Sequence, residues 1–188
     1  LSTTNTHDSM STIDDISSEY LRQRSPLGGG QEEWSDVKFF WVPDDHHGFI
    51  PVQQVGDSDD ADQGMLKAVR KPDNQVEKVR RDSLLPANST RYDKHEDMAE
   101  LGELNEATIL HCLKSRYQSG LIYTYSGLFL VAVNPYKPVP IYSADVVEWF
   151  KGEARRERPP HIYAVADAAL ADLLRSQQNQ SILITYHM

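Results

Sequence analysis

The pattern of hydrophobic and polar positions changes character along the chain, and each change predicts a different kind of structure. Residues 1 to about 33 are rich in Ser, Thr, Asp and Glu, hold little apolar material, and end in Ser25-Pro26-Leu27-Gly28-Gly29-Gly30. Such a stretch cannot bury enough apolar surface to offset its ordering entropy, so it reads as a disordered N-terminal extension. From Trp34 to about Leu84 the texture becomes short strand-like runs. Val37-Lys38-Phe39-Phe40-Trp41-Val42 is aromatic and β-branched and is punctuated by Pro43-Asp44-Asp45; Phe49 to Val55, Met65 to Val69 and Val76 to Val79 follow. Short strands at this spacing predict a small all-β barrel over residues 34–84, and a unit of about fifty residues can just bury its own core.

Beyond Pro86 the pattern is mixed α/β. Asn105 is placed to cap a helix whose Ile109, Leu110, Leu113 and Tyr117 share one face, and Gly120 is placed to end it. Leu121 to Tyr125 and Leu128 to Val133 read as strands joined at Ser126-Gly127, a hairpin. Val146, Val147 and Phe150 predict a short helix. Pro159-Pro160 opens a longer one, with Ile162, Val165, Ala166, Ala169, Leu170, Leu173 and Leu174 on a single stripe. The run Ser181-Ile182-Leu183-Ile184-Thr185 is what a strand buried on both faces requires. Such a strand needs neighbours on both edges, and only Tyr186-His187-Met188 follow it, so residues 85–188 are expected to be an incomplete domain.

Composition changes this picture little. The 188 residues are 39% hydrophobic and 25% charged, enough for one ordinary domain or for a small domain and part of another. A formal charge of -9 argues against a general affinity for nucleic acid or an anionic membrane surface. No apolar stretch approaches bilayer-spanning length, and the N-terminus lacks a secretory pattern. The single cysteine, Cys112, cannot form an intrachain disulfide, so a cytoplasmic location is the default. The chain starts at Leu1 rather than Met, and the numbering is expected to begin inside a longer product.

Several chemical signals carry little. His46 and His47 are adjacent, without a third ligand at metal spacing, and read as a solvated turn. Asp57 to Asp62 does not fit a calcium loop and reads as a charged one. Cys112 sits among apolar helix neighbours and reads as a packing residue. Asn88-Ser89-Thr90 is a glycosylation sequon by pattern only. Ser25-Pro26 reads as tail. His161, at a helix start, reads as structural, since a charged imidazole gains nothing from that end of the dipole.

A family pattern emerges when the motifs are taken in order. Trp41-Val42-Pro43-Asp44 with Gly48-Phe49 resembles the start of the SH3-like barrel that precedes conventional (class II) myosin motors. His95-Glu96-Asp97-Met98-Ala99-Glu100-Leu101 and Leu104-Asn105-Glu106-Ala107 are similar to the beginning of the motor proper. Arg116-Tyr117, then Gly120-Leu121-Ile122-Tyr123-Thr124-Tyr125-Ser126-Gly127-Leu128-Phe129 and Val131-Ala132-Val133-Asn134-Pro135-Tyr136-Lys137, look like a near-verbatim family stretch. Pro140-Ile141-Tyr142 and Pro159-Pro160-His161-Ile162-Tyr163-Ala164 continue it. The resemblance covers about residues 34–185. It implies an SH3-like barrel over 34–84 and, over 85–188, the N-terminal part of a P-loop NTPase-like α/β motor domain.

The same resemblance implies a nucleotide-contacting segment. Asn134, Pro135, Tyr136 and Lys137, with Tyr142, match the family's purine-binding loop, which packs around the adenine of ATP. The residue types suit that role: Pro135 stiffens a turn, Asn134 offers a donor and acceptors, Tyr142 a ring and a hydroxyl, Lys137 a positive charge. Without the family, an Asn-Pro after a strand is simply a turn. Family members commonly carry another basic residue where Pro138 stands. In the family the strand matching Ser181 to Thr185 leads into a Gly-rich phosphate loop whose Lys and Thr serve phosphates and Mg2+; here Tyr186 follows. The implied parent is an actin-activated, Mg-ATP-dependent cytoskeletal motor. Its partners would be actin filaments, light chains and a second heavy chain joined through a coiled coil. This chain, expected to be a fragment ending before the phosphate loop, should not hydrolyse ATP alone, and no catalytic or metal-ligating residue is assigned in it. Two alternatives stand beside that reading. The 34–84 barrel could act as a protein-interaction module, with Trp34, Phe39, Phe40 and Trp41 lining a groove for Pro-rich peptides, or the C-terminal half could fail to fold.

Overall fold

The computed structural model describes residues 13, 15–21, 39–55, 65–70 and 74–186. Expectations for Trp34, Ser25-Pro26 and the Asp57–Asp62 run lie outside the described residues. The chain forms two compact units, one of residues 27–115 and one of residues 1–26 with 116–188.

The first unit is built on an antiparallel five-stranded sheet in the order β4-β3-β2-β1-β5. Its strands are β1 (Phe39–Asp44), β2 (Gly48–Gln54), β3 (Met65–Arg70), β4 (Val76–Arg80) and β5 (Leu85–Pro86). The first four follow the runs that the sequence marks. Period-two alternation puts Ile50 and Val52 of β2 inward, and Val52, Ala68 and Val79 form the core under Phe40, Val42 and Leu84. Pro51 is tolerated within β2 because β3 pairs only with Val52–Gln54. Between β1 and β2 the Asp44 carboxylate caps the turn: Oδ1 accepts from the His46 and His47 backbone N–H at 3.0 and 2.8 Å. The backbone and ring of His47 hold the Asp44 carboxyl down at about 2, with burial opposing them. Gly48 closes the turn at φ +76, a conformation that favours glycine.

The unit extends to Ser115, past the residue 84/85 boundary at which the sequence texture changes. Three contacts account for that. Ala87 N donates to Phe39 O at 3.1 Å, the His111 ring lies 4.9 Å from that of Trp41, and a Cβ on Gly48 would come within 3.2 Å of Leu110 Cδ2. Asn88 serves as a backbone bridge, its amide bonding Glu103 O at 2.9 Å and Glu103 N at 2.6 Å. Helix α1 (Glu106–Gln118) starts at a reciprocal cap, Asn105 Oδ1 accepting from Thr108 N and Thr108 Oγ1 from Asn105 N, each 3.0 Å. Its end is a left-handed glycine: Gly120 N donates to Tyr117 O and Leu121 N to Arg116 O.

The buried face of α1 differs from the expected stripe. Thr108, Cys112 and Arg116 are buried, while Leu110 and Tyr117 are exposed. Polar bonding outweighs side-chain hydrophobicity here. The Arg116 guanidinium donates to Thr124 Oγ1 at 2.8 Å and to Tyr123 O at 2.6 Å, and Cys112 Sγ lies 3.6 Å from His95 O.

The second unit holds the hairpin β6 (Tyr123–Ser126) and β7 (Phe129–Ala132), then helices α2 (Ala144–Phe150) and α3 (Ile162–Ser176). Its core is Ile122, Ile141, Val146, Phe150 and Ala164 together with Leu21. Leu21 is a departure from the disordered extension expected over residues 1–33. Ser17–Leu21 form a π-helical turn, and Ile16 and Tyr20 pack beside Leu21 on that core. A segment with too few apolar residues for a core of its own contributes them to another. The second departure is at the other end. Residues 181–185 form no strand: they are irregular, with Leu183 88% and Ile184 77% exposed. An apolar run becomes a two-face-buried strand only where neighbouring strands satisfy its backbone, and none pairs with it among the described residues.

Candidate functional site

The hairpin positions the loop that follows it. Val133 N donates to Ile122 O at 2.9 Å, extending the β6–β7 pairing by one bond before the chain turns away. Arg155 clamps the hairpin from outside, its Nη2 donating to Gly127 O at 2.6 Å and its guanidinium lying 3.9 Å from the Tyr125 ring centroid. The strand ends are thus held by Arg116 on one side and Arg155 on the other.

Asn134-Pro135-Tyr136-Lys137 then forms a self-contained turn. Asn134 Oδ1 accepts from Tyr136 N at 2.9 Å, the side chain imitating a backbone turn around Pro135. That bond uses the amide oxygen as its acceptor, and the Asn134 residue is exposed. Tyr136 sits at φ 52 with 89% of its surface exposed. A non-glycine residue in the left-handed region with no burial to compensate is a local cost maintained by the turn. Lys137 is exposed. The chain returns to the core through Val139, packed against the apolar cluster, and Ile141, 1% exposed.

Tyr142, the remaining residue of the expected set, lies in a cluster of rings. Its hydroxyl is 2.9 Å from that of Tyr123, and its carbonyl accepts from the Tyr163 hydroxyl at 3.1 Å. Its ring centroid is 5.6 Å from His161 and 6.2 Å from Tyr163. His161 is fully buried and stacked on Phe150 at 4.8 Å. It caps α3, Nδ1 accepting from Tyr163 N at 3.0 Å, which fixes the neutral tautomer with its proton on Nε2. Burial pushes its pKa down to about 4, with the Ile141 backbone opposing. Burial, and then the Tyr142 hydroxyl, raise the Tyr123 phenol well above the usual range.

The structure therefore gives the five residues two settings. Asn134 to Lys137 bond within their own turn, Tyr142 bonds into the ring cluster, and no hydrogen bond joins the two among the described residues. Tyr123 and Tyr163 are the residues that sequence reasoning missed. Period-two reading places Tyr123 on a strand, but nothing local says that its hydroxyl meets another nineteen residues on. Among the described residues no three His, Cys, Asp or Glu side chains group to hold a metal ion. Of the described aromatic residues in the first unit, Phe40 packs on the core, Trp41 lies against His111, and Phe39 is 38% exposed. No helix among the described residues is long and apolar enough to cross a membrane.

Two comparisons bear on these residues. The sequence pattern of the family described as "Myosin head (motor domain)" matches residues 95–187. Myosin-14 of Mus musculus is 44% identical over 162 residues, covering 84% of this chain. The chain spans about 8% of the length of that relative.

Proposed function

The chain belongs to the myosin head family, and from that premise we propose that it is the adenine-side portion of the nucleotide site in a conventional, class II, actin-based ATP-driven motor. The observation that carries this reading is the turn at Asn134-Pro135-Tyr136-Lys137. It lies inside the matched region, is fixed by the Asn134–Tyr136 bond, and holds an exposed tyrosine in a left-handed conformation. Asn134 Nδ2 would donate to an acceptor on the base, Lys137 would add positive charge, Pro135 would keep the turn rigid, and Tyr136 would complete it. Tyr142 would present a ring and a hydroxyl. The wider assignment goes with it: an SH3-like barrel over 34–84, the beginning of the motor domain over 85–188, a place on the cytoplasmic actin cytoskeleton, and actin filaments, light chains and a second heavy chain as partners.

ATP supplies the phosphoryl group for such a motor, and Mg2+ would accompany it through residues outside this set. The 188 residues contain no G-x-x-x-x-G-K-[ST] stretch, and phosphoryl transfer depends on positioning and charge stabilisation at the phosphates. A polypeptide of this sequence is therefore expected to show no ATP turnover. Phosphate release by the purified chain, with and without actin filaments, should stay at the buffer rate. Turnover that co-purifies with the chain would overturn this assignment of the site.

A further inference from the structure

We propose that Tyr123 is a positioning residue for Tyr142, holding its ring and turning its hydroxyl proton outward toward an acceptor on a purine base. The role rests on the adenine reading of Tyr142 given above. Tyr142 is 47% exposed, a degree of exposure at which a tyrosine on a loop ordinarily samples several rotamers. Here it is held on several sides. The Tyr123 hydroxyl takes the ring's tip at 2.9 Å, His161 and Tyr163 take its side at 5.6 and 6.2 Å, and the Tyr163 hydroxyl takes its carbonyl at 3.1 Å. Ile141 before it is buried, and Ser143 after it caps α2. A ring fixed before the ligand arrives loses less freedom on binding.

The hydroxyl pair adds direction. Each phenol has one proton and can accept, so whichever oxygen accepts keeps its own proton for a third group. Tyr123 is the more buried of the two and faces Tyr142 and the His161 ring, at 5.0 Å. Donation from Tyr123 into Tyr142 leaves the Tyr142 proton as the one available at the surface. Purines offer ring-nitrogen acceptors to such a donor.

The test is NMR of the 188-residue chain carrying 13C-labelled tyrosine, titrated with adenosine and, separately, with ribose 5-phosphate. The Tyr142 ring signal is assigned by its loss in Tyr142→Phe. Adenosine should move that signal in the wild type, and ribose 5-phosphate should not. Tyr123→Phe should move the same signal without ligand and weaken adenosine about 3- to 10-fold, the worth of one hydrogen bond. The double variant with Tyr142→Phe should bind no more weakly than Tyr142→Phe alone, because Tyr123 acts through Tyr142. A Tyr142 signal that Tyr123→Phe leaves in place overturns the positioning role. So does a loss of affinity that adds fully to that of Tyr142→Phe. A wild-type chain whose Tyr142 signal ignores adenosine overturns the adenine reading itself, a result readable apart from the ligand-free shift.

Discussion

Within the second unit, residues 121–164 and residues 170–186 meet opposite conditions. The first stretch buries Ile122, Ile141, Val146 and Phe150, each at 5% exposure or less. The second leaves Leu170, Leu174, Ile182, Leu183 and Ile184 at 49% or more. Both are apolar; what separates them is convergence. In the first, a hairpin, a loop, α2, the start of α3 and the turn at Ser17–Leu21 all contribute to one cluster, so the side chains of that cluster have neighbours from several segments. In the second, the later turns of α3 and the chain after it meet nothing comparable among the described residues. Hydrophobic burial is non-directional, and it stabilises only where a second surface exists to be dehydrated with the first.

The sharpest way to break that comparison is to remove its best-packed member. Phe150 is 1% exposed, stacks on His161 and meets the Trp149 ring edge-on at 5.1 Å. Phe150→Ala should cost about 3–5 kcal/mol in urea unfolding. A loss below about 1 kcal/mol would mean that the cluster is not the core of this unit.

The next effect is a pH dependence. His161 has a pKa of about 4 in the fold against 6.5 ordinarily, so as pH falls the unfolded chain takes up the proton first. The stability linked to its neutral form is present in full above about pH 6.5 and is lost as pH falls through about 4, a total on the order of 3 kcal/mol. His161→Asn keeps a side-chain acceptor for the Tyr163 N–H but does not titrate. The difference in unfolding free energy between wild type and variant should therefore shrink as pH falls from 6.5 to 4. A difference that stays level across that range would remove the buried imidazole from the account.

The smallest effect sharpens the other side. Leu183→Ser, at 88% exposure, should change unfolding free energy by no more than about 0.5 kcal/mol. A cost of several kcal/mol would show that the 181–185 run is buried in solution, as its composition suggests.

Local features were legible where neighbouring residues decide them. Asn105 caps α1 because its side chain reaches Thr108 N three residues on, and Gly120 ends it because φ +77 favours glycine. The β1–β4 runs were readable from alternation and turn residues. The Asn134 turn was legible too, since Asn-Pro predicts it and the bond is two residues long. The face that α1 buries was not legible: Thr108 and Cys112 bond Glu103 and His95, which precede the helix, and Arg116 bonds a hairpin that follows it, while Leu110 and Tyr117 stay exposed. Tyr123 was missed for the same reason.

By itself, then, the sequence determined β1 to β4, the hairpin, the three α-helices, the two ends of α1, the Asn134 turn and the order of motifs that marks the myosin head family, because those depend on residues within a few positions of one another. Only the tertiary structure decided which apolar runs are buried and which residues surround Tyr142. Leu21 joins a core formed about a hundred residues later, residues 182–184 join none among the described residues, and the Tyr123–Tyr142 pair exists only because a strand and a loop are brought together. Burial and hydroxyl pairing are relations between distant segments, and no window along the chain contains both partners.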